Sequence, residues 1–153
     1  MIEVEVASRL DAPPAAVWAR AATLDGVNDE LRPLLRMTAP SGARLDGPDV
    51  PLGRRWFRSW LLLGGVLPVD YDDLTLAEVR PGEGFRERSA MLSLRRWEHD
   101  RTLSADGDGT LVVDRLRAQP RVPVPAAVPR ALIGAVFRHR HRRLRRRFGG
   151  RPA

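Results

Sequence analysis

The sequence predicts one α+β domain in which a curved antiparallel sheet and a long C-terminal helix enclose an apolar pocket. Three observations carry that prediction. Residues Ile2, Val4, Val6, Ser8 and Leu10 alternate with Glu3, Glu5, Ala7 and Arg9, the period-two pattern of a half-buried strand. From Gly53 to Ala118, strand-like stretches are separated by turn residues at Gly64-Gly65, at Pro81 to Gly84 and at Ala105 to Gly109, as in consecutive antiparallel strands. Beyond Pro120, Pro123, Pro125 and Pro129, the residues Ile133, Val136, Phe137, Leu144 and Phe148 recur at helical spacing and form one stripe.

Taken in order, the elements follow from local chemistry. Asp11 ahead of Pro13-Pro14 is a plausible helix start, with proline tolerated in the first turn. A short helix is expected from Ala15 to Thr23, with Val17, Trp18 and Ala21 on its apolar side, and Gly26 breaks it. A second helical piece begins at Asn28 and ends at Pro33, and Thr38 to Leu52 reads as a long loop. Strands are expected over Arg54–Leu63, Val69–Val79, Phe85–Ser89, Leu92–Leu103 and Thr110–Ala118. The last helix runs to about Phe148, where Gly149-Gly150 stops it. The domain then spans residues 1–149, and residues 150–153 form a short tail. One helix laid across a sheet face is an α+β layer solution.

Composition narrows the function classes. The chain has 153 residues, 43% of them hydrophobic, enough for one sizeable core. It has no Cys, which removes disulfides, thiol nucleophiles and thiolate metal sites and fits a cytoplasmic setting. The start, Met1-Ile2-Glu3-Val4-Glu5, lacks the basic and apolar regions of a signal peptide. The most apolar run, Trp60 to Leu67, is far shorter than the roughly 20 residues a spanning helix needs. All 26 basic residues are Arg and the formal net charge is +7. Seven of the ten residues from Arg138 to Arg147 are Arg, so this helix end is either a solvated surface or a patch for nucleic acid or anionic membrane. No metal or other cofactor is implied. His139 and His141 are two residues apart and cannot share a helix face, and the local positive charge opposes cation binding. No phosphate-binding glycine loop or nucleophile elbow is present.

The expected strands Leu92–Leu103 and Thr110–Ala118 make a hairpin whose register is testable. Symmetric pairing about the turn places Leu103 opposite Thr110, His99 opposite Asp114 and Trp97 opposite Leu116. Glu98 then faces Arg115 on the other side. Because side chains alternate, a one-residue slip would reverse every face. The face with Trp97, Leu103, Val112 and Leu116 is expected inward, carrying His99 and Asp114 with it, while Arg96, Glu98, Arg115 and Arg117 meet water.

The element order and four local motifs resemble the START/SRPBCC superfamily, the helix-grip fold that includes polyketide cyclase/dehydrase-like proteins. The motifs are Gly26-Val27-Asn28-x-Glu30-Leu31-x-Pro33 continuing to Leu35-Arg36-Met37-Thr38, the Trp97-x-His99 pair, Asp114, and Phe137-x-x-Arg140-His141-x-x-Leu144. They resemble an uncharacterised bacterial branch of that superfamily, over nearly the whole chain. The resemblance implies a hollow between sheet and helix that holds a hydrophobic ligand in many members. It implies no single chemistry, since this fold hosts carriers, cyclases and regulators alike.

Candidate site residues follow from the inner faces. His99 and Asp114 form either a dyad for proton transfer, as in a cyclase or dehydratase, or a satisfied polar pair that fixes strand register. Arg140 and His141 lie near the apolar stripe of the last helix, placed to reach an anionic head group at the pocket mouth or to snorkel outward. Trp18, Trp56, Trp60, Tyr71, Trp97 and Phe137 are candidates to line a cavity for a flat apolar ligand or to pack in the core; Trp56 and Trp60 share one strand face with Arg58, which is either a wet pocket wall or an exposed ridge. The function expected is therefore binding of an apolar or amphipathic small molecule, lipid- or polyketide-like. A cyclase/dehydratase-type enzyme and a nucleic-acid or membrane docking protein are the alternatives.

Overall fold

The computed structural model describes residues 1–153. The chain forms β1 (Ile2–Leu10), α1 (Pro14–Ala21), α2 (Leu24–Leu31), β2 (Leu35–Met37), β3 (Arg55–Leu63) and β4 (Leu67–Arg80). It continues with β5 (Gly84–Met91), β6 (Leu94–Asp106), β7 (Gly109–Pro120), α3 (Ala127–Phe148) and β8 (Gly150–Pro152). All eight strands join one antiparallel sheet in the order β2-β3-β4-β5-β6-β7-β1-β8. After β1, the two short helices carry the chain from one side of the sheet to the far edge, where β2 begins the meander. α3 then returns over the inner face, packed against β1 and α2. This is the helix-grip α+β arrangement.

Two local expectations need correction, and one strand was not foreseen. Gly26 does not break a helix; it lies inside α2. Thr23 caps that helix by accepting from the Gly26 amide at 3.0 Å, and a Cβ at Gly26 would stand 1.8 Å from the Arg20 carbonyl oxygen. The glycine is there for close approach of the α1 backbone, not for termination. Residues 35–37 are a strand, pairing with Leu61 to Leu63, a stretch too short for its alternation to stand out. Residues 150–153 are not a free tail: Gly150 to Pro152 pair with Ser8 to Leu10 and supply the sheet's last strand.

The hairpin register also differs, by two residues. Asp106 pairs with Gly109, Leu103 with Val112, His99 with Leu116 and Trp97 with Ala118. The loop is only Gly107-Asp108, and Gly107 adopts φ +58°, as a tight two-residue hairpin with glycine first requires. An even shift leaves every side chain on its expected face. Trp97, Leu103, Val112 and Leu116 are accordingly buried, and Glu98 meets Arg117 at 3.4 Å on the outer face instead of Arg115.

The inner face holds two apolar clusters. One gathers Leu10, Val17, Trp18, Leu76, Phe85, Leu103, Val112 and Leu144. The other gathers Ile2, Met91, Leu94, Trp97, Leu116, Ala118 and Phe137. No helix is long and apolar enough to cross a membrane.

Candidate functional site

A band of polar side chains separates the two apolar clusters. On β1, buried Ser8 lies between Leu10 and Ile2; on β7, Asp114 lies between Val112 and Leu116. On β6, Arg101 and His99 lie between Leu103 and Trp97, and on α3, His141 and Arg140 lie between Leu144 and Phe137. β5 repeats the pattern with Glu87 and Ser89 between Phe85 and Met91. The band therefore crosses the sheet at one level, and α2 adds Glu30.

Arg101 is its centre, with only 1% of its surface exposed. Its guanidinium donates to Asp114 through Nε at 2.8 Å and Nη2 at 2.7 Å, and to Glu30 through Nη2 at 2.8 Å and Nη1 at 3.0 Å. Arg140 Nε donates to Glu30 Oε1 at 3.1 Å. Asp114 also accepts from His99 Nε2 and His141 Nε2, each at 2.8 Å. Four donors thus fill Asp114's acceptor sites. Burial by itself would raise the Asp114 pKa, but the charge of Arg101, helped by the imidazoles, outweighs it and holds the carboxyl well below the usual range. Glu30 is treated the same way: burial pushes it up, and Arg101 with Arg140 brings it below its ordinary value. An ionised Asp114 only accepts, so both histidines carry their proton on Nε2. His141 Nδ1 is then the acceptor for the Ser8 hydroxyl at 2.8 Å, and Ser8 Oγ receives Arg145 Nη1 at 2.8 Å.

Beside this band a cavity of about 280 Å³ opens between the sheet and the first half of α3. Its walls are largely apolar: Leu31, Leu35, Met37, Leu61, Met91, Leu94 and Trp97 from α2 and the sheet, and Leu132, Ile133, Val136 and Phe137 from the helix. His99 and Arg140 stand where band and cavity meet, with Asp72 and Glu87 on the neighbouring strands. His99 is edge-on to both Phe85 and Phe137, at 5.0 and 4.9 Å between ring centres. Its Nδ1 lies 3.8 Å from Glu87 Oε2, too far for a hydrogen bond. Burial, then the adjacent Glu87 charge, push the Asp72 carboxyl well above the usual carboxylate range.

Of the residues singled out from sequence, Trp97, His99, Phe137 and Arg140 line this cavity. Asp114 and His141 stand behind its wall, fully buried in the polar band. The other aromatics lie elsewhere. Trp18 packs in the first apolar cluster and donates to Asp46 Oδ2 at 3.3 Å. Trp56 packs against that same cluster, because the β3 register shifts between Arg55 and Phe57. Trp60 is 41% exposed and meets Tyr71 edge-on at 5.4 Å, and Tyr71 lies under the Arg58 guanidinium at 3.8 Å. Trp60, Arg58 and Tyr71 form an outer ridge of the sheet. Four residues escaped the sequence reading as site members: Glu30, Arg101, Asp72 and Glu87. Alternation held the signal for three of them. Arg101 shares parity with His99 and Leu103, Asp72 with Leu74, and Glu87 with Phe85.

A family model for a domain of unknown function, DUF8410, matches residues 8–148. The chain belongs to that family. Among solved structures, a protein of Chromobacterium violaceum superposes with a TM-score of 0.73 at 14% identity, covering 97% of this chain and 99% of the other. A START superfamily protein from Mycobacterium smegmatis gives 0.70 at 13% identity, covering 97% of each chain. DynU16, from the dynemicin biosynthetic locus, gives 0.64 at 18% identity, covering 95% of this chain and 46% of that one. The fold is START/SRPBCC-like, as the motifs implied. No curated protein sequence matches significantly.

Proposed function

We propose that this protein binds an apolar or amphipathic small molecule in the cavity between the sheet and α3. The observation that carries this reading is the cavity itself: an apolar hollow of about 280 Å³ with its polar groups gathered at one end, close to the lower size limit of small-molecule sites. Its START-like fold and its structural likeness to DynU16 are compatible with a lipid- or polyketide-like occupant. Replacing Ile133 by Trp fills the hollow from the helix side. Native mass spectrometry of the purified protein is expected to show a retained small apolar molecule in the parent and none in Ile133→Trp. Equal retention by both proteins would refute the assignment of the site.

One observation favours a second reading, a cyclase/dehydratase-type enzyme. His99 borders the cavity, donates to Asp114 at 2.8 Å and keeps Nδ1 free of any hydrogen bond. Against it, Asp114 is already neutralised by Arg101, so it adds little basicity to His99. The arginine-rich helix end also has internal work. Arg140 pairs with Glu30 at 3.1 Å, Arg143 and Arg147 with Asp29 at 3.5 and 3.3 Å, and Arg145 with Ser8. Only Arg138, Arg142 and Arg146 remain as an unpaired exposed row, which weakens the case for nucleic-acid or membrane docking.

A further inference from the structure

The acidic end of the cavity differs from the rest of the polar band in one respect: no arginine reaches the Asp72 and Glu87 carboxyls, and Asp72 Oδ1 has no partner. Asp114 and Glu30 are saturated by arginine and imidazole donors. Asp70, on the cavity rim, accepts from the Ser93 amide, the Ser93 hydroxyl and the Tyr71 amide. Asp72 is 3% exposed, and its Oδ1 has no hydrogen-bond partner. Glu87 is 5% exposed; its Oε1 takes the Ser89 hydroxyl at 2.8 Å, and its carboxyl lies within hydrogen-bonding reach of the Asp72 carboxyl. His99 donates to Asp114 through Nε2 and turns its Nδ1 toward Glu87 Oε2, at 3.8 Å. The only guanidinium on the cavity wall, Arg140, is held by Glu30 and lies over the Phe137 ring at 4.8 Å.

Two buried carboxyls with no cation between them are unfavourable. The empty site relieves this with a proton, which is why the Asp72 carboxyl titrates high. A ligand relieves it better by bringing both charge and donors. Resting on the binding reading above, we propose that the occupant carries a primary ammonium on an apolar body, seated against the Asp72 and Glu87 carboxyls at the acidic end of the cavity. An ammonium has three N–H donors and no acceptor, which suits a pair of carboxyls that no arginine reaches. It also supplies the positive charge that the acid pair lacks. The apolar walls formed by Trp97, Ile133, Val136 and Phe137 take the hydrocarbon part. A carboxylate or phosphate head group is disfavoured at this end by Asp72 and Glu87.

Calorimetric titration with decylamine, 1-decanol and decanoate at pH 7 tests the assignment, since the three share a chain and differ in head group. Decylamine is expected to bind about tenfold more tightly than 1-decanol, as charge-assisted hydrogen bonds are the stronger kind, with decanoate weakest. In Asp72→Asn the amine preference shrinks to within about threefold while 1-decanol binding persists. Glu87→Gln serves the same test should Asp72→Asn not fold. Decylamine binding no tighter than 1-decanol, or a preference that survives both substitutions, overturns the ammonium assignment and leaves small-molecule binding standing. Failure of all three chains to bind overturns both.

Discussion

At the residue scale, the two sides of the polar band behave oppositely. Arg101 faces two carboxylates in a dry interior, where an ion pair adds little over an apolar substitute but its half-removal is severe. Arg101→Met leaves Asp114 buried without a guanidinium partner and Glu30 with Arg140 alone. It is expected to lower unfolding stability by about 3–5 kcal/mol in urea titration, and a loss under about 1 kcal/mol would show the charges are compensated otherwise. The pH response follows from the shifts. Asp114 and Glu30 are depressed in the folded state, so their stabilisation is present above the unfolded carboxyl pKa near 4 and is lost as pH falls below it. Asp72 is raised, so its contribution is full in acid and is lost as pH rises through its elevated folded value. Chemical denaturation across pH 3 to 9 is thus expected to show a loss on the acid side and a second loss as pH rises from about 4 toward the raised Asp72 value, and Asp72→Asn to remove only the second. An unchanged second loss in that variant would assign it to another group.

At the element scale, the sequence carried more about faces than about boundaries. Alternation in β1 and the β6–β7 hairpin predicted which side chains turn inward, and a register error of two residues left that prediction intact because the period is two. Gly26 was misread because composition alone does not distinguish a helix breaker from a point of backbone contact. Gly26→Ala would force its methyl against the Arg20 carbonyl and is expected to cost about 1–3 kcal/mol, the range for overpacking, measured by thermal unfolding. A neutral or stabilising result would mean that α1 and α2 separate easily. The aromatic candidates fared worse for the same kind of reason. Trp18, Trp56, Trp60 and Tyr71 have the right chemistry for a cavity wall, but Trp18 packs from α1 into the other apolar cluster and the register shift between Arg55 and Phe57 turns Trp56 to that cluster too. Trp60 and Tyr71 alternate with buried Ser59 and Asp72, so strand period alone sends them outward. Arg101 shows its inward face by parity with His99 and Leu103, whereas Glu30, on a helix, looks in sequence like any exposed charge until its partners are known.

At the scale of the whole molecule, the fold places a polar band next to an apolar hollow and uses most of the basic helix end to hold α2 and β1. Substituting Arg138, Arg142 and Arg146 by Gln is therefore expected to leave small-molecule affinity within about twofold, since distant sites act independently. A larger change in calorimetry would tie that exposed row to the cavity. The central claim is that ligand enters between the sheet and α3, and the four tryptophans report on it directly. In a heteronuclear NMR titration with 1-decanol, the indole N–H of Trp97 is expected to shift while those of Trp18, Trp56 and Trp60 stay in place. Movement of the Trp60 signal with Trp97 unchanged would contradict it.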